Sequence, residues 1–157
     1  MPIVIRHHTS CRAPGKAAWA ALVDITRWPE CYPHVQAVTH LSGPDAGGLR
    51  AGSVWEERVR RGPFTPRFRV TALEWIDGEW VTWQARFLLV TGRHTWSVAP
   101  AAPGCALHDT YVFSGPLPLL LIARALFRLS RLEAMGQRQL EAWARRAEHL
   151  AAQPRSE

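Results

Sequence analysis

The sequence predicts an α+β domain in which an antiparallel sheet packs against one long C-terminal helix. Three observations predict it. From Val35 to about Ser114, runs with period-two alternation are separated by Gly- and Pro-containing turns, the pattern of consecutive antiparallel strands. From Pro116 to about Ala151 the apolar period lengthens to that of a helix. A chain of 157 residues, 47% hydrophobic and 20% charged, has the size and composition for one core. Residues 1–152 are therefore read as a single domain, with a frayed tail at 153–157.

The elements follow in order. "IVIRHHTS" reads as a first strand. "APGKAAWAALVD" sets Ala18, Trp19, Leu22 and Val23 at helical spacing, with Pro14 near the start. A second short helix is read in "ITRWPECYP", broken by Pro29 and Pro33. "VQAVTHLSG" returns to strand, and "GPDAGGLRAG" is a turn-rich loop. In "SVWEERVRR" two phases compete. Apolar bulk favours Trp55, Glu57 and Val59 facing inward over Val54, Glu56 and Arg58.

Two turns then set the register of the sheet. Asp77-Gly78 as a two-residue loop places Ile76 opposite Glu79, and so Phe68, Val70 and Ala72 opposite Phe87, Ala85 and Trp83. Thr91-Gly92 as the next tight turn pairs Leu89 with His94 and Phe87 with Trp96. Opposed residues share a face. One face thus collects Phe68, Val70, Ala72, Trp83, Ala85, Phe87, Leu89, His94, Trp96 and Val98. Arg67, Arg69, Thr71, Thr82, Gln84, Arg86, Thr95 and Ser97 fall on the other. A third hairpin turning at "PAAPG" adds Leu107, Asp109, Tyr111 and Phe113 to the inner face. Trp75 and Trp80 are expected to form a cross-strand pair.

In the last segment Ile122, Leu126, Leu129, Leu132, Gly136, Leu140, Trp143, Ala147 and Leu150 form the apolar stripe. Gly136 interrupts it at a cost of about 1 kcal/mol relative to Ala, which points to a close approach or to room left for something. Arg124, Arg128, Arg131, Arg138 and Arg145 form a second stripe.

The net charge is +6, and Lys16 is the only lysine among 19 basic residues. Arginine forks suit phosphate, so an anionic membrane surface is a candidate partner, as is nucleic acid. A GC-rich genome accounts for the same excess more simply. The basic residues lack the interleaved aromatics of a single-strand platform, which argues against nucleic acid. Cys11, Cys31 and Cys105 are odd in number and widely spaced, with no CxxC pair, so neither a zinc site nor a disulfide framework is expected. The N-terminus lacks the pattern of a signal peptide, and the longest apolar run, Leu117 to Ala123, contains Pro118 and stops at Arg124. A cytoplasmic location is expected.

The order of elements resembles the helix-grip fold of the SRPBCC superfamily, which includes START-like lipid-transfer domains and polyketide cyclase/dehydrase-like proteins. Trp19, Asp24, Trp28 and Pro29 are similar to that group's W-x-x-x-x-D-x-x-x-W-P helix pair. "HTWSVAPAAPGCALHDTYVFSGP" is similar to its penultimate hairpin, and "LEAWARRAEHL" to its closing helix. The resemblance covers nearly the whole chain. It implies a curved sheet of six to seven strands wrapped around the last helix, two short helices after strand 1, and a cavity for a small hydrophobic ligand such as a lipid, a quinone or a polyketide-like aromatic. It implies no fixed catalytic set.

No GxSxG, HExxH, GxxxxGK[ST] or GxGxxG occurs, and no cofactor is expected. His7 and His8 are adjacent in a strand and point to opposite faces, so they make a poor metal pair, and no metal site is expected. The inward His94, Asp109 and Tyr111 are the candidate catalytic residues, a base and acid for a bound carbonyl compound in cyclisation or dehydration. The plainer reading makes His94 a hydrogen-bonded residue near a strand end and pairs Asp109 with an arginine. Trp55, Phe68, Val70, Trp83, Phe87, Trp96, Phe113, Leu129 and Gly136 are the candidate ligand-contacting residues. The sequence leaves the oligomeric state open.

Overall fold

The computed structural model describes residues 2–32, 34–42, 49–60, 63–87, 89–118, 120–121 and 129–153; the side chains of Phe87 and of residues 129–132 also fall outside the description. The strands are β1 (Ile3–Cys11), β2 (Val35–Ser42), β3 (Val54–Val59), β4 (Arg67–Ile76), β5 (Trp80–Phe87), β6 (Val90–Ala101) and β7 (Gly104–Ser114). Two short helices, α1 (Gly15–Val23) and α2 (Trp28–Cys31), are joined by a 3₁₀ turn at Ile25–Arg27, and α3 (Leu129–Ala152) closes the chain. The seven strands form one antiparallel sheet in the order β1-β7-β6-β5-β4-β3-β2. It is the helix-grip fold, a curved sheet wrapped around a long helix. Among the described residues no helix is long and apolar enough to cross a membrane.

Pro29 lies in the first turn of α2 rather than breaking it, a position where its missing N–H is not needed. The predicted inner phase of β3 is the one adopted: Trp55 and Val59 are buried while Arg58 is exposed.

The register differs from expectation at both turns. Glu79 N–H donates to Ile76 O at 3.0 Å and Gly78 takes φ +81°, but Ile76 pairs with Trp80, not Glu79. A bulge between Ala72 and Glu74 absorbs the extra residue. Deeper in the hairpin Val70 still faces Ala85 and Ala72 still faces Trp83. Beyond the bulge the alternation reverses. Trp75 turns inward opposite Val81 and packs on Trp19 at 5.6 Å, while Trp80 turns outward. The two tryptophans lie on opposite faces and form no pair.

Thr91 and Gly92 are in β6, not in a turn. Phe87 pairs with Val90, Trp83 with His94 and Val81 with Trp96. The expected register is off by six residues, an even number, so every strand residue keeps its face. Only Leu89 changes place: it stands at the turn, 68% exposed. Val70, Ala72, Trp83, His94, Trp96, Val98, Leu107 and Asp109 are buried, and Arg67, Arg69 and Arg86 are exposed.

Six buried tryptophans, with the half-buried Trp75, pack in the space the sheet encloses or under α1. Trp28 lies 5.4 Å from Trp83 and 5.8 Å from Trp96, and Trp96 stacks on Trp143 of α3 at 4.6 Å. Each indole N–H must find an acceptor when buried. Trp143 donates to Ala18 O at 2.6 Å, Trp28 to Leu22 O at 2.8 Å and Trp19 to Asp77 Oδ1 at 2.6 Å. Asp24 accepts from Arg146 Nη2 at 2.9 Å and so ties the end of α1 to α3. On α3, Leu140, Trp143 and Ala147 are fully buried, as the stripe predicts. Ile122, Leu126, Arg124 and Arg128 lie outside the described residues.

Cys11 and Cys105, far apart in sequence, face one another across β1 and β7 as free thiols. At the same corner a Cβ on Gly104 would stand 2.4 Å from Cys11 O and 2.7 Å from Ala13 O. Both contacts are backbone and cannot swing away. Gly104→Ala is expected to destabilise the fold by at least about 2 kcal/mol; an unchanged midpoint in urea would contradict this close approach.

Candidate functional site

A cavity of about 160 Å³ lies between the concave face of the sheet and α3. The sheet contributes Phe68 and Val70 from β4, Trp83 and Ala85 from β5, and Tyr111 and Phe113 from β7. Trp28 of α2 and Met135 and Gln139 of α3 complete the apolar enclosure. Polar groups enter at few points: His34, Glu57, His94, and the Tyr111 hydroxyl, which donates to Gln139 Oε1 at 3.2 Å.

His94 lies directly opposite Trp83 on β5 and Tyr111 on β7. Its imidazole stacks on the Tyr111 ring at 3.7 Å and meets Trp83 edge-on at 5.0 Å. Behind it Asp109 is 1% exposed and does not reach the cavity. Asp109 Oδ1 is hydrogen-bonded to His94 Nε2, and Oδ2 to His7 Nδ1 at 3.1 Å. An ionised carboxylate only accepts, so both imidazole nitrogens facing it carry protons. The Trp96 indole N–H also lies against His94 Nε2. Asp109 thus pairs with two histidines and not with an arginine.

His7 is the residue that sequence reasoning missed. The signal was indirect: β1 had to be recognised as the neighbour of the last strand, which sets His7 opposite Asp109. Its ring also explains Gly136. A Cβ there would stand 2.3 Å from His7 Cε1, so the helix can cross β1 at this point only with glycine. Gly136 therefore faces the sheet, but it meets His7 and does not line the cavity.

The other predicted contact residues divide. Phe68, Val70, Trp83 and Phe113 line the cavity with His94 and Tyr111. Trp55 and Trp96 are fully buried and back its wall. The side chains of Phe87 and Leu129 lie outside the description. Glu57, assigned inward from sequence but given no role, is on the wall with Trp55 Nε1–H donating to its Oε1 at 2.7 Å.

Charge follows from these contacts. The hydrogen bond to Asp109 leads the influences that hold His7 above its ordinary range, with burial opposing. Burial is the largest single influence on Asp109 and acts upward, but the charges and hydrogen bonds of His94 and His7 together hold it below the usual carboxylate range. Burial pushes the Glu57 carboxyl up to about 7, against the weaker pull of the Trp55 hydrogen bond. Burial also raises the Tyr32 hydroxyl. Among the described residues no group of three or more His, Cys, Asp or Glu is arranged to hold a metal ion.

A family model described as "Polyketide cyclase / dehydrase and lipid transport" matches residues 2–148. The chain belongs to this family, within the SRPBCC superfamily. It is similar in fold to the di-domain aromatase/cyclase StfQ of the steffimycin biosynthetic pathway, with a TM-score of 0.78 at 17% identity over 98% of this chain. It spans about half of that protein, 53%. It is also similar to the Zhui aromatase/cyclase of a Streptomyces species, with a TM-score of 0.78 at 15% identity over 95% of both chains. A protein of Thermus thermophilus superposes with a TM-score of 0.77 at 12% identity, over 96% of this chain and 100% of that one. No curated protein matches the chain in sequence.

Two outcomes are expected. Gly136→Ala should destabilise by about 1–2 kcal/mol despite its better helix propensity, because the methyl group displaces His7 from Asp109. Adding His7→Ala should recover part of that loss in a double-mutant cycle; additive losses would place the strain elsewhere.

The pH dependence has definite signs. His7 has a raised folded pKa, so its contribution is full below 6.5 and fades as pH rises through the folded value. Asp109 has a lowered one, so its contribution is full above 3.8 and fades as pH falls through the folded value. Glu57, a carboxyl raised from 4.5 to about 7, costs stability as pH climbs through that interval. Glu57→Gln should therefore gain on the wild type across that interval, by up to about 3 kcal/mol. A constant difference in urea unfolding from pH 4 to 8 would contradict the burial of this carboxyl.

Proposed function

We propose that this protein binds a small hydrophobic molecule of about one aromatic ring in the cleft between the sheet and α3. The family to which the chain belongs has the capacity for such ligands in this cleft. The observation that carries the size and chemistry is the cavity itself. Its walls are mostly apolar, with the rings of Trp28, Phe68, Trp83, Tyr111 and Phe113 among them, and its volume is about 160 Å³, against about 150 Å³ for an apolar cavity that holds benzene. A fused polyketide, a quinone with its tail or a lipid requires the walls to part. The exposed Leu89 at the β5–β6 turn, with exposed Leu117 and Leu121, belongs to the periphery and adds nothing to this enclosure.

A second reading is favoured by one contact. The buried Asp109 on His94 Nε2 fixes the ring's orientation, leaving Nδ1 as the nitrogen for a ligand. In that reading His94 removes a proton next to a ligand carbonyl, Asp109 positions it, and Tyr111 supplies a hydroxyl.

Native mass spectrometry of freshly purified protein should retain a co-purifying small molecule. Benzyl alcohol should shift the NMR signals of cavity residues, and Ala85→Trp, which fills the space, should abolish those shifts while the fold persists. Unchanged uptake by the variant would overturn the binding site proposed. If His94 is a base, the protein should catalyse deuterium exchange at the methyl group of acetophenone, and His94→Ala should slow it roughly 100-fold. No exchange above buffer leaves the binding reading alone.

A further inference from the structure

Glu57 is used by neither reading, yet among the described residues it is the one acidic group on the cavity wall. Trp55 occupies its Oε1 at 2.7 Å. Among the described residues Oε2 has no hydrogen bond, and no lysine or arginine lines the cavity. Its direct cross-strand neighbours, Val38 on β2 and Phe68 on β4, carry no charge. Trp28, Phe68 and Trp83 present rings to the same space. Aromatic faces attract cations, and a buried carboxylate without a positive partner is costly. Among the described residues, then, rings surround one carboxyl group and no Lys or Arg, an arrangement complementary to an ammonium group.

We propose that the ligand is an amine carried on a single aromatic ring, with the ring among Trp28, Phe68 and Trp83 and the ammonium seated on Glu57. The proposal rests on the hydrophobic-ligand reading and adds to it the charge the ligand carries. The same carboxylate repels ligands bearing their own carboxylate. The upward push on Glu57, to about 7, is the behaviour of a carboxyl that lacks a cation. An arriving ammonium favours its ionised form, so amine binding in mild acid releases a proton from Glu57. The other titratable groups on the wall are His34, His94 and Tyr111, with Asp109 and His7 behind His94.

The test titrates wild-type protein and Glu57→Gln with benzylamine, benzyl alcohol and benzoate, followed by NMR at about pH 8 and about pH 5.5. Near pH 8 the wild type should bind benzylamine at least roughly ten-fold tighter than benzyl alcohol, the factor that one charge-assisted hydrogen bond supplies. Benzoate should bind weakest. The preference for the amine should shrink by roughly ten-fold at the lower pH, and in Glu57→Gln amine and alcohol should bind alike. Equal affinities in the wild type, or a preference surviving in the folded variant, overturn the proposal and leave the hydrophobic-ligand reading standing. Failure of all three probes to bind overturns both. If Glu57→Gln does not fold, the wild-type series decides: an amine preference that acidification leaves intact overturns the role of Glu57.

Discussion

The stacking of Trp96 on Trp143, with ring centres 4.6 Å apart, joins the middle of the sheet to the closing helix. Around it the remaining buried indoles serve two needs at once. Their area supplies the apolar burial that holds a helix across a sheet, about 25 cal/mol for each Å² removed from water. Their N–H groups need acceptors in the dry interior: Trp143 and Trp28 reach main-chain carbonyls of α1, and Trp19 and Trp55 reach the carboxyl groups of Asp77 and Glu57. A smaller apolar side chain would fill part of the volume without fixing direction. Trp28, which packs on Trp83 and Trp96, also lines the cavity with Trp83, so ligand space and core are continuous.

Behind that wall lies an arrangement that hydrophobic binding alone does not need. A carboxylate 1% exposed is held between two imidazoles, and a glycine in mid-helix makes room for one of them. Hydrogen bonds from two imidazoles to one carboxylate help Asp109 to stay ionised under burial. The cavity thus has two polar poles. His94, backed by Asp109, stands beside Tyr111 on β6 and β7, and Glu57 enters from β3. Between them the walls are mostly apolar.

Much of the fold was legible because side-chain parity is robust. The β5–β6 register inferred from Thr91-Gly92 was off by six residues, yet the face partition survived because the error was even. The β4–β5 turn failed more locally. The bulge between Ala72 and Glu74 leaves no mark in composition, and it reverses the phase of everything nearer the turn. That reversal sent Trp75 inward to Trp19, while Trp80 stays outward with Thr82 on the unbroken β5. His94, Asp109 and Tyr111 were found together because they share a face. His7 was not, because its partner lies 102 residues away across a strand pairing that no local turn specifies.

The sequence by itself determined the element types, the inward faces of β3 to β7 apart from the end of β4 beyond its bulge, and the buried stripe of α3, since each depends on periodicity within a short segment. It also marked Gly136 as a place where something approaches. What approaches it, His7, was decided only by the tertiary structure, as were the seating of β1 beside β7, the two-histidine grip on Asp109 and the placing of Glu57 among rings. These depend on which segments meet after long loops of chain have closed. Such closure is selected by the packing of the whole core, and no local run of residues encodes it.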